Sequence, residues 1–111
     1  MHYLEKQLLD YGIIDAPIES IKIDEWFENL TLTYKGNQMQ TVFCKFINCF
    51  EISLNHDKAY SKNRSINGKL DYKYFVQNIE IAEEDNFFAI AISAWPLDAK
   101  IVCKEFSITT S

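Results

Sequence analysis

The segment Leu30-Thr31-Leu32-Thr33-Tyr34-Lys35-Gly36-Asn37-Gln38-Met39-Gln40-Thr41-Val42-Phe43-Cys44-Lys45-Phe46 decides the fold class. Leu30, Leu32 and Tyr34 alternate with Thr31 and Thr33, and a period of two puts apolar side chains on one face of a strand and hydroxyls on the other. Lys35-Gly36-Asn37-Gln38 reads as a turn into a second strand over Thr41–Phe46, so the pair is an antiparallel hairpin. The same period recurs on both sides. Ile21 and Ile23 alternate with Lys22 and Asp24. Phe50, Ile52 and Leu54 alternate with Glu51, Ser53 and Asn55, so Cys44–Leu54 is one long bent strand or two short ones, with Asn48 as a bulge position. Asn67-Gly68, a favoured dipeptide of tight hairpins, predicts a strand near Tyr60–Ile66 paired with one over Leu70–Val76.

Ile79 and Ile81 open a further strand, and Glu83-Glu84-Asp85-Asn86 reads as a four-residue turn. Phe87–Trp95 is apolar almost throughout, which predicts a strand covered on both faces in the middle of the sheet. Its small residues Ala89, Ala91 and Ser93 share a face narrow enough to sit beneath a helix. Pro96-Leu97-Asp98-Ala99 turns the chain, Trp95 caps the core, and Val102, Phe106 and Ile108 lie on one side of the last strand. Ahead of all this, His2–Tyr11 reads as a helix. Tyr3, Leu4, Leu8, Leu9 and Tyr11 recur near the 3.6 period, Gly12 closes it, and Pro17 blocks its continuation. The expected fold is α+β: an N-terminal helix followed by a mostly antiparallel, curved sheet or half-barrel of about seven or eight strands. A two-sheet β-sandwich is the alternative. With 111 residues and no repeat, linker or low-complexity tract, 1–111 reads as a single domain.

Composition narrows the function classes. Apolar residues make up 48% of the chain, enough for a core, so a disordered chain is excluded. No stretch approaches the ~20 apolar residues of a membrane helix. Met1-His2-Tyr3-Leu4-Glu5-Lys6 lacks the basic then apolar run of a signal peptide, so a soluble cytoplasmic protein is expected. Eleven Lys and Arg stand against 16 Asp and Glu, a formal charge of -5. That balance repels phosphate backbones and argues against nucleic-acid binding. It attracts basic partners. Cys44, Cys49 and Cys103 form no C-x-x-C pair and sit among apolar strand residues, where cysteine behaves as a small hydrophobe; reduced structural thiols are expected.

Catalytic chemistry is poorly supplied. His2 lies at the start of the chain, and His56, in Asn55-His56-Asp57, has no nucleophile set beside it by any motif. Metal-ligand spacings and phosphate-binding glycine loops are absent, and Arg64 is the lone arginine. No cofactor, no metal and no enzyme activity are expected. Tyr72, Tyr74 and Phe75 beside Lys69 and Lys73 have the composition of a base-stacking platform, but alternation turns the tyrosines and the lysines to opposite faces.

A binding surface is the better expectation. Trp26 and Phe27 stand among Asp15, Glu19, Asp24, Glu25 and Glu28, and large aromatics ringed by charge have the composition of interface anchors. Glu80, Glu83, Glu84 and Asp85 form a second acidic knot. The C-terminal third, Phe88-Ala89-Ile90-Ala91-Ile92-Ser93-Ala94-Trp95-Pro96-Leu97 followed by Ile101-Val102-Cys103-Lys104, in a small acidic chain without catalytic residues, resembles the immunity proteins of bacterial polymorphic and contact-dependent growth-inhibition toxin systems. The resemblance implies a bacterial cytoplasmic protein that binds a cognate toxin domain, often a basic nuclease, and neutralises it stoichiometrically by covering its surface. The residues expected to carry that contact are Asp15, Glu19, Asp24, Glu25, Trp26 and Glu28, then Glu83, Glu84 and Asp85. The alternatives are a small-ligand-binding module, with a barrel interior lined by Tyr72, Tyr74 and Phe88, and a homo-oligomeric accessory β domain.

Overall fold

A computed structural model describes residues 2–24, 26–56 and 74–111. The described elements are α1 (Tyr3–Asp10), β1 (Ile18–Ile23), β2 (Leu30–Lys35), β3 (Thr41–His56), β4 (Asn78–Glu84), β5 (Phe87–Ala94) and β6 (Leu97–Thr110). The six strands form one open antiparallel sheet in the order β1-β2-β3-β6-β5-β4. Among the described residues there are six strands, against the seven or eight expected over the whole chain, and all six share one sheet rather than forming the two layers of the sandwich alternative. The expected strand Tyr60–Ile66, the Asn67-Gly68 turn, Tyr72 and most of Leu70–Val76 lie outside the described residues. Tyr74–Val76 is no regular strand: Phe75 makes a single bridge to Pro17.

The centre of the sheet is a ribbon of two long strands. β3 has 16 residues and β6 has 14, and they pair from Val42↔Thr110 to His56↔Leu97. The β1–β2 hairpin flanks only the Thr41–Phe46 half of β3. The β4–β5 hairpin flanks only the Leu97–Cys103 half of β6. Halfway along, Asn48 takes a left-handed conformation (φ 55) and the register slips between Cys49 and Glu51. The Asn48 bulge expected from the sequence is thus a two-part distortion. Its effect is to keep Phe46, Cys49 and Ile52 on one face although their spacing is not even.

The covered face carries the core: Leu30, Leu32 and Tyr34 of β2, Val42, Cys44 and Phe46 of β3, Ile79 and Ile81 of β4, Ile90 and Ile92 of β5, and Ala99, Ile101, Cys103 and Phe106 of β6. Phe46 and Phe106 stack with ring centroids 4.7 Å apart. Leu4 and Leu8 of α1 pack onto this face, with Ile13, Ala16 and Val76. The helix ends because Gly12 (φ 75) supplies the left-handed residue that lets the Gly12 N–H reach the Leu9 carbonyl and the Ile13 N–H reach the Leu8 carbonyl, both near 3.0 Å. The other end is held to the edge strand. His2 Nδ1 accepts from the Leu4 N–H, and the Glu5 carboxylate accepts from the Ile81 N–H of β4 at 2.9 Å. That contact occupies a group an edge strand would leave open.

Four local expectations are corrected. Among the described residues, Phe87–Ala94 is second from the edge and is covered on one face; Ala91 is exposed, because the helix packs on the Ile90 and Ile92 face and leaves Ala89, Ala91 and Ser93 outward. The turn after β5 is Trp95-Pro96, with Leu97 already paired to Ala94. Trp95 sits on that turn 42% exposed, while Pro96 is buried. Val102 faces away from Phe106, since it pairs with Ala89 on the outer side while Ile101 and Cys103 point inward.

Candidate functional site

The chain between β1 and β2 turns on one carboxylate. Asp24 Oδ1 accepts the backbone N–H groups of Glu28 (2.9 Å) and Asn29 (3.3 Å), and Oδ2 accepts the Asn29 side-chain amide at 2.7 Å. The Asp24 carbonyl accepts the Phe27 N–H, and its own N–H reaches the Asn29 carbonyl, both at 3.1 Å. Hydrogen bonds to the charged form, led by the Glu28 N–H, hold the Asp24 carboxyl below its ordinary value of 3.8 against a smaller desolvation effect. The loop is also pinned to the ribbon. The Glu28 carbonyl accepts the Cys49 N–H at 2.7 Å, and Asn29 Oδ1 accepts the Asn48 N–H at 3.1 Å.

This framework pushes aromatics outward. Trp26 is 77% exposed, Phe27 is 71% exposed in a left-handed conformation (φ 58), and Phe50 is 68% exposed at the register slip. Between the loop and the far half of β3 lies an open groove of about 440 Å³, lined by Ile23, Phe27, Cys49, Phe50, Glu51, Ile52 and Leu54. Phe50 meets Phe87 of β5 edge to face, with centroids 5.9 Å apart.

The second acidic segment reaches the same level of the ribbon from the opposite edge. The β4–β5 turn is tighter than expected: Glu83 and Glu84 are still strand residues, and only Asp85 (φ 44) and Asn86 (φ 73) turn, the two positive-φ positions of a tight hairpin. Phe88 pairs with Cys103, which pairs with Cys49, so both loops flank the middle rows of β3 and β6. Four strand spacings separate Glu28, beside β3, from Glu84 on β4, about 19 Å.

The expected site residues therefore divide. Asp24, Trp26 and Glu28 stand together, and Glu84 and Asp85 face them across the ribbon. Asp24 serves the loop itself. Glu83 binds the His2 ring, Oε1 to Nε2 at 2.8 Å. Glu19 lies on the bulge at the other end of β1, five residues and about 16 Å from Asp24. Asp15 lies beyond it, beside Lys35, Gly36 and Met39. Glu25 lies outside the described residues. Phe50 and Phe87 were not picked from the sequence, because in a period-two reading Phe50 falls in phase with Ile52 and Leu54 and counts as core.

The groups that could do chemistry are dispersed. His56 ends β3, with its Nε2 2.9 Å from the Tyr74 hydroxyl, and Asp57 lies outside the described residues. Burial pushes the Cys44 and Cys103 thiols up to about 12, and raises Cys49 as well. Among the described residues, His, Cys, Asp and Glu nowhere gather in threes.

Three comparisons place this geometry among known proteins. The family model described as "Immunity protein PIM7" matches residues 1–110. No protein of curated function matches the sequence. A solved structure described as the crystal structure of an uncharacterized protein from Neisseria gonorrhoeae is similar in fold, with a TM-score of 0.60 and 15% identity over 86% of this chain and 90% of that one.

Proposed function

The chain belongs to the family of immunity protein PIM7, and on that premise we propose that it binds the toxin made beside it and neutralises that toxin stoichiometrically, without catalysis. The match over residues 1–110 is the observation that carries this reading. The partner we infer is a basic nuclease domain, met in the cytoplasm of a bacterium that uses contact-dependent inhibition. A net charge of -5 and acidic groups on both sides of one ribbon support that choice, since they steer a cationic surface toward the ribbon. Covering a surface that binds a phosphate backbone is itself enough to stop a nuclease.

The test is co-expression with the toxin domain encoded next to this chain's gene. Rescue of growth and a one-to-one complex on gel filtration are expected, with the nuclease activity of the purified toxin falling linearly to zero at equivalence. Cells that die despite soluble immunity protein would overturn the reading. A toxin that is not a nuclease would remove the substrate class alone.

A further inference from the structure

Resting on that reading, we propose that the toxin is gripped by an aromatic ridge, Phe27–Phe50–Phe87 with Trp26 at its end, and that the toxin patch it fits is an apolar cleft rimmed by lysine or arginine. Of the acids read from the sequence, four are already engaged or lie away from the middle of the ribbon. Asp24 spends its oxygens inside its own loop, Glu83 is taken by His2, and Asp15 and Glu19 stand at the far end of β1. What the middle of the ribbon offers instead is apolar area.

Two independent backbone distortions create that offer. Phe27 holds a positive φ that bulky residues avoid, and glycine or asparagine would fill the position more easily. Phe50 occupies the extra position where the register slips, and the slip turns it out of the pleat that buries Cys49 and Ile52. Neither ring adds to the core, for both end about 70% exposed. Phe50 then carries the ridge on to Phe87. Phe27 and Phe50 both line the groove, and large exposed aromatics grouped about a groove are usual anchors of a protein interface.

The rim sets the partner's charge. Glu28, Glu51, Glu84, Asp85 and Glu105 lie along these rows against Lys45 and Lys104, while Lys100 is drawn to Glu51 at 3.8 Å. An apolar centre with a net negative rim is complementary to a cationic surface around an apolar cleft.

The experiment measures binding of a catalytically inactivated toxin domain, encoded beside this gene, to the full chain by surface plasmon resonance. Phe27→Gly removes a ring and relieves its backbone, so it is expected to leave the melting temperature equal or higher while weakening binding by at least about 30-fold, the size of an interface hot spot. Phe50→Ser is expected to do the same to binding. Met39→Gly is the matched control, being 76% exposed with φ 62 at the opposite end of the sheet, and it is expected to bind like wild type. Raising salt is expected to slow association of the wild type. Folded Phe27→Gly and Phe50→Ser proteins that bind within about threefold of wild type would overturn the ridge and leave neutralisation standing. Salt-independent association would overturn the cationic rim. A wild-type chain that binds no toxin overturns both readings.

Discussion

Tyr34 offers a sharp test of the core. Its side chain is 0% exposed, and its hydroxyl has no hydrogen-bond partner among the described residues. Burial, then the neighbouring Cys44 and Tyr11, push its ionisation far above the ordinary value of 10.0. A hydroxyl buried without a partner costs about 1–3 kcal/mol, because it gives up its bonds to water and gains none. Tyr34→Phe deletes the oxygen and keeps the ring that packs against the core. The expected gain is about 1 kcal/mol. At about 2.1 cal/mol/K of unfolding entropy per residue, 111 residues convert that to a melting temperature higher by roughly 4 °C. Urea unfolding is expected to show the same gain as a higher midpoint with an unchanged slope. A melting temperature lowered by several degrees would show that the hydroxyl makes a bond, and the argument would fail. Tyr34→Ala, which also empties the ring's volume, is expected to lose about 3–5 kcal/mol.

Three further outcomes follow from the same geometry. The Cys44 and Cys103 thiols rise from 9.0 to about 12 on folding, so the unfolded chain loses those protons first; stability is complete below pH 9 and falls as pH rises above it, and Cys44→Ala is expected to flatten that fall in urea titrations at stepped pH. Asp24 has the opposite sign: its folded value lies below 3.8, so the loop's order is complete above that pH and is lost as pH falls through the folded value. Asp24→Ala is expected to speed amide exchange at Glu28 and Asn29 at neutral pH while leaving exchange at Ile90 and Ile101 unchanged. Glu84→Lys is expected to slow toxin association several-fold at low salt with little change in dissociation, read in the two phases of a binding trace.

Much of the fold was legible because it follows from periods. Leu30, Leu32 and Tyr34 alternate in the sequence and are buried in the structure, and Gly12 ends the helix where a left-handed residue is required. The misreadings have one physical source: a local pattern says which residues share a face, and not what covers that face. Phe87–Trp95 reads as doubly covered because alanine is apolar, yet Ala91 is exposed, since a helix of eight residues covers only one side. An even count puts Val102 with Phe106, and the mid-ribbon distortion breaks the count. The exposed aromatics at mid-ribbon were hidden from the sequence for the same reason. Phe50 kept its period with Ile52, and only the slip between Cys49 and Glu51 turns it outward. Of the acids, composition found the loops but could not show that Asp24 is already occupied by Glu28 and Asn29.

The topology accounts for the exposed aromatics and acids at mid-ribbon, where we propose that the toxin docks. Each hairpin flanks half of the long β3–β6 pair, one on each edge, so the two halves are displaced diagonally and both loops end at the same level. Charges placed on such loops reach furthest into solvent and act before contact, while the aromatics between them act only after water has left. The first group sets how fast a cationic partner arrives, and the second how long it stays. Glu84→Lys and Phe27→Gly therefore perturb different phases of one reaction, and being on opposite edges about 19 Å apart they are expected to add without coupling. A double variant whose loss in binding free energy departs from the sum by more than about 0.5 kcal/mol would mean that charge and ridge touch the same group on the partner, and that this division of labour is wrong.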